Sequence, residues 1–100
     1  MIRRAVVFSP EARNDLKALY EDIASTASNE LAMAYLGRVN AYLASFDLAS
    51  ERGAIRDHIK PGLRTIGFER RITIAFTVGP QEVTIHRVFY GGQDWPRLLT

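Results

Sequence analysis

Halfway along the chain the spacing of the apolar residues changes. Up to Phe46 they recur every three or four positions: Ala12, Leu16, Leu19, Tyr20 and Ile23 in one run, then Leu31, Tyr35, Val39, Tyr42, Leu43 and Phe46 in the next. Beyond Pro61 they recur every second position, with Ile72, Ile74, Phe76 and Val78 alternating with Thr73, Ala75 and Thr77. The first spacing lays a stripe along a helix; the second builds one face of a strand. A chain that writes its helices first and most of its strands afterwards belongs to the α+β class.

The punctuation between these runs divides the chain further. Residues 3–8 are apolar and β-branched enough for a strand. Ser9 then reads as an N-cap, with Pro10 at the first helical position, where its missing N–H costs nothing, and Glu11 in the first turn. Ser25 to Asn29 is a break rich in capping residues, and a second helix starts near Ser28 or Asn29. Gly37 inside that helix reads as a place of close backbone approach. A polar connection follows from Asp47 to Pro61. Leu63–Phe68 reads as a strand in which Gly67 marks a weakness or a bulge, and Gly79 to Glu82 as the turn between Ile72–Val78 and Val83–Tyr90. The expected order is β-α-α-β-β-β: an N-terminal strand, then an α-helical hairpin packed on a small, largely antiparallel sheet, as one domain over residues 1–100.

Composition narrows the function classes. At 100 residues the core is thin, so burial against a partner is expected to add to stability. The absence of cysteine removes disulfides, thiol catalysis and zinc–thiolate sites, and fits a cytoplasmic location. No apolar run approaches the roughly 20 residues that span a bilayer, and the N-terminal run is too short for a signal peptide. Net charge is only +2, but residues 51–100 hold eight Lys/Arg against five Asp/Glu, whereas residues 1–50 hold five against six. Eleven of the thirteen basic residues are arginine, whose fork suits carboxylate and phosphate oxygens. No His/Asp/Glu spacing resembles a metal site and no glycine loop cradles phosphate.

Four segments in a fixed order carry a resemblance: Ser9-Pro10-Glu11-Ala12 with Asp15-Leu16, Asp57 through Arg64, Arg71-Ile72-Thr73-Ile74-Ala75-Phe76, and Ile85 through Trp95. Together they resemble the ParE/RelE-type toxins of bacterial type II toxin–antitoxin systems, in their ParE-like branch. The resemblance implies a small cytoplasmic toxin without cofactor or metal, and without sequence-specific DNA binding of its own. It implies neutralisation by a ParD-like antitoxin whose DNA-binding N-terminus is followed by a segment that wraps the toxin. The target it implies is DNA gyrase; the alternatives are a RelE-like ribonuclease acting on ribosome-bound mRNA, or a non-toxic relic that retains antitoxin binding. A role for the chain as co-repressor of its own operon belongs to the same implication.

For the antitoxin-facing surface the resemblance implies Leu16, Tyr20, Tyr35, Arg64 and Arg71; for the target-facing surface, Arg71, Arg87, Tyr90, Asp94 and Trp95. A gyrase-binding chain needs no catalytic residue, whereas a ribonuclease would draw on Arg71, His86, Arg87 and Tyr90 for proton transfer and charge stabilisation. Phe89 and Gln93 stand where many relatives of this type carry basic groups, which weakens the acid/base set. His86 and Tyr90, with Val88 between them, are expected on one strand face, with Arg87 on the other. His86 also reads as a strand histidine without a role, and His58 as a solvated loop residue. Arg71 and Arg87 read either as a recognition surface or as partners of Glu69, Glu82 or Asp94, and Arg70 as a solvated turn residue. Trp95 reads either as packed back on the core or as a binding anchor. Asp15, Glu21 and Asp22 read as a solvated helix face.

Overall fold

The computed structural model describes residues 3–91, 93 and 95–99. Strand β1 (Ala5–Phe8) leads into helix α1 (Pro10–Thr26), helix α2 (Asn29–Ala44) and a 3-10 turn at Ser45–Asp47. Strands β2 (Ala54–Ile55), β3 (Leu63–Phe68), β4 (Ile72–Val78) and β5 (Glu82–Tyr90) follow, and helix α3 (Trp95–Leu98) closes the described chain. The expected order is present, with the two-residue β2 and the short α3 added. Among the described residues no helix is long and apolar enough to cross a membrane.

Both long helices start where the side chains dictate. Ser9 Oγ accepts from the Ala12 N–H at 3.0 Å, and Ser28 Oγ accepts from the Leu31 N–H at 3.1 Å. Each cap satisfies one of the amide groups that a helix start leaves without a partner. Ser9 also joins helix to sheet: its N–H donates to the Ile85 carbonyl at 3.0 Å and its hydroxyl to the His86 carbonyl at 2.7 Å.

The sheet order is β1-β5-β4-β3-β2. Among the described residues only the β1–β5 pair is parallel, with Ala5 opposite Glu82 and Phe8 opposite Ile85; the other pairs are antiparallel. The α1–α2 hairpin covers one face. Between them lies the main core, with Leu19, Val39, Leu43 and Phe46 from the helical layer against Ile74, Phe76, Val83 and Ile85 from the sheet. The second face carries a smaller cluster of Leu63, Ala75 and Phe89, covered by Ile59, Trp95 and Leu99.

Three local readings are corrected. Leu31 leaves the α2 stripe and is 59% exposed, because Ala32 takes the buried position in the first turn of α2. Gly67 pairs regularly with Thr73; the irregularity lies instead between Ala75 and Phe76 of β4, opposite β5. A side chain at Gly37 would meet nothing within 4 Å, so no backbone of this chain approaches it. Glycine is required at Gly53, where φ is +80° and a Cβ would collide with the Thr65 carbonyl.

Candidate functional site

Tyr35, midway along α2, is 4% exposed. Arg38 lies one helical turn further on, and its guanidinium carbon sits 5.2 Å from the Tyr35 ring centroid. Arg71, at the mouth of β4, lies 6.0 Å from the same ring. Cations at such ring faces are held by the quadrupole. Arg38 also donates two hydrogen bonds to the Glu69 carboxylate, at 2.9 and 3.1 Å. That hydrogen bond, more than charge alone, holds the Glu69 carboxyl below its ordinary range and raises the Arg38 guanidinium. Burial, then the Glu69 charge, pushes the Tyr35 hydroxyl up.

The Tyr35 Oη is buried and has no hydrogen-bond partner among the described residues. Arg71 has no carboxylate in ion-pair range among the described residues. These four side chains form the polar wall of a pocket of about 350 Å3. Ile23 of α1, Ala27 in the break, and Leu31 and Ala34 of α2 form its apolar wall.

A second group lies on the free edge of β5. Strand β1 ends opposite Ile85, whereas β5 runs on to Tyr90. Two amides on this unpaired stretch are taken by side chains: Val88 N–H donates to Asp15 Oδ2 at 2.9 Å and Tyr90 N–H to Gln93 Oε1 at 2.8 Å. Asp15 also receives a fork from Arg87, at 2.8 and 3.2 Å. Asp15 is thus no solvated residue. It neutralises Arg87, whose guanidinium it raises through the hydrogen bond, and it caps the strand edge. Glu21 and Asp22 are exposed as expected. Arg87 therefore pairs across the fold with Asp15 rather than with Glu69 or Glu82.

His86 occupies the irregularity in the sheet. Ala75 pairs with Arg87 and Phe76 with Ile85, which leaves His86 as the extra residue of a bulge. A bulge shifts the alternation of all that follows. Ile85 and Val88 consequently both face the main core, and Phe89 joins the opposite cluster. His86 Nε2 lies 2.8 Å from Thr77 Oγ1, and Thr77 shares the Ala75 face of β4 by alternation. Tyr90 packs on the main core instead. The two are on opposite faces of the sheet, correcting the shared face that uninterrupted alternation predicts. Four residues of strand also separate them by about 13 Å. Burial first, then the Lys60 charge, holds the imidazole below its ordinary value, with Glu11 opposing.

Trp95 packs on the second face against Leu63, Ala75 and Phe89. The Arg56 guanidinium lies 5.1 Å from its ring and donates to Thr65 Oγ1 at 2.9 Å. The core reading of Trp95 describes its packing, although the side chain stays half-exposed.

The family model described as "ParE toxin of type II toxin-antitoxin system, parDE" matches residues 6–95. The chain belongs to this ParE toxin family. Among solved structures it is similar to a chain titled "Chromosomal ParDE TA system from P. aeruginosa", with a TM-score of 0.77 and 23% sequence identity, covering 89% of this chain and 97% of that one. At that identity the likeness concerns the fold, which is the ParE-like α+β fold expected. No curated protein matches the chain.

In this ParE-family chain the expected site residues fall into separate places. Tyr35 and Arg71 come together beside α2. Tyr90 lies next to them on the same core, opposite Ile72 in the sheet, with the Gly91 N–H donating to the Arg71 carbonyl at 2.9 Å, whereas Arg87 is engaged by Asp15. Leu16 packs at the margin of the main core, and Tyr20 is half-buried on the outer side of α1, near Ala24 and Asn29. Arg64 reaches the Arg52 carbonyl at 3.4 Å, away from the Tyr35 pocket. Asp94 lies outside the described residues. Arg38, Glu69 and Asp15 were not singled out as site residues. For Arg38 the signal was its spacing, three positions beyond Tyr35 and so on the same helix side.

Proposed function

We propose that this chain is a cytoplasmic toxin that acts by binding DNA gyrase, and that a ParD-like antitoxin neutralises it. Family membership supports the toxin role. The observation that carries the choice of target is the separation of the histidine from the rest of the ribonuclease set. His86 faces Thr77 across the sheet from Tyr90, which lies beside Arg71, and Arg87 is held by Asp15. Proton transfer needs donor and acceptor within hydrogen-bond reach of one substrate; a protein-binding toxin needs only a surface.

The test is supercoiling of relaxed plasmid by gyrase and ATP, with and without the purified chain. Inhibition, with cleaved plasmid released by protease and detergent, is the expected result. Unimpaired supercoiling, together with cleavage of ribosome-bound mRNA by the same sample, would transfer the chain to the ribonuclease reading.

A further inference from the structure

The Tyr35 pocket holds an ion pair inside a site that is otherwise incomplete. Glu69 reaches Arg38 from a tight turn in which both Glu69 and Arg70 have left-handed backbone, with φ of 52° and 59°. Such conformations are costly for residues with a Cβ. The adjoining cation, Arg71, makes no close ion pair among the described residues, although its charge also reaches Glu69. The Tyr35 Oη is a buried donor with nothing to donate to among the described residues. Leu31 stands 59% exposed on the apolar wall. Two guanidinium groups against one carboxylate leave the pocket with one positive charge in excess.

We propose that this pocket receives a carboxylate carried on an apolar peptide segment of a partner, and that Glu69 stands in for that carboxylate in the free chain. The ligand class follows from the geometry already occupied. Arg38 grips Glu69 through two parallel hydrogen bonds, the fork that carboxylates fit. An incoming Asp or Glu side chain displaces Glu69 or bridges to Arg71, and the Tyr35 hydroxyl donates to its free oxygen. Its apolar neighbours then cover Leu31 and the helix residues around it. That the partner is the antitoxin rests on the toxin reading; the chemistry of the pocket does not.

The test is titration of the full-length, 15N-labelled chain with the blocked peptide acetyl-Leu-Glu-Leu-amide and with its glutamine counterpart. The arginine Nε–H resonances and the Kd are followed. The glutamate peptide is expected to bind about tenfold tighter, since only it offers charged acceptors, and to shift Arg38 and Arg71. Glu69→Gln is expected to tighten its binding about two- to fivefold by removing the internal competitor. Arg71→Gln and Tyr35→Phe are expected to weaken it about fivefold or more. Equal affinity for the two peptides, or a Glu69→Gln chain that gains nothing, overturns the proposal. A gyrase-inhibiting chain that fails here loses this inference alone. A chain that prefers the glutamate peptide yet leaves gyrase untouched keeps the pocket and loses the gyrase reading.

Discussion

Tyr35 is asked to satisfy two demands that conflict. Its ring fills the core between α2 and the sheet, while its hydroxyl is buried without a partner among the described residues. A buried donor left unpaired costs its full desolvation. Tyr35→Phe is therefore expected to stabilise the free chain by about 1 kcal/mol, measured as a higher urea midpoint at unchanged slope; a lower midpoint would reveal a partner for the hydroxyl. His86 gives a second prediction at this scale. Its folded-state affinity for protons is depressed by burial and by Lys60. Its contribution is therefore fully present above the ordinary histidine value near 6.5 and declines as pH falls below it, because the unfolded chain takes the proton first. Replacing His86 with Gln should flatten the fall of Tm between pH 7 and pH 5. An unchanged profile would place that pH dependence elsewhere. At this scale the sequence was informative about capping and burial, and uninformative about pairing. Ser9 and Ser28 could be read as caps because a cap and its helix are adjacent. The Asp15–Arg87 pair spans 72 positions, and nothing local to either residue specifies the other.

At the level of elements, the β3–β4 turn and the β5 bulge show how backbone geometry sets what the side chains can reach. Arg71 N–H closes the turn onto the Phe68 carbonyl at 3.1 Å, with Glu69 and Arg70 both left-handed between them. That is the conformation in which hairpins favour Asn-Gly. Arg70→Gly should stabilise the chain by about 1 kcal/mol, read from thermal unfolding; a lower Tm would mean the Arg70 side chain has a contact that outweighs its strain. The period-two run revealed strand β4 and the helix stripes revealed the hairpin, since each periodicity is a property of a single segment. The bulge depends on register between two strands. It nevertheless left a trace: the buried apolar positions of β5 shift from Val83 and Ile85 to Val88, an odd-to-even slip. Reading through that slip put His86 and Tyr90 on one face.

At the scale of the whole molecule, the chain exposes large apolar side chains at several places, among them Leu31, Met33, Leu48 and Ile55. On the toxin reading a partner covers part of that surface. A ligand that binds only the folded form adds RT ln(1 + [L]/Kd), about 2.7 kcal/mol at a hundredfold excess over Kd. An antitoxin at that excess should raise the Tm by roughly 10–20 °C, and by more at higher concentration. Identical melting with and without it would sink the antitoxin reading.

The parallel pair of β1 with β5 has a consequence in time. Val6 is opposite Val83, so β1 leaves the ribosome well before the strand it pairs with and has no partner until that strand has followed. At 5–20 residues per second the wait is about 4–15 s. Throughout it, the sheet that orders Arg71, Arg87 and Tyr90 cannot be assembled, and the nascent chain has neither its fold nor the pocket beside Tyr35.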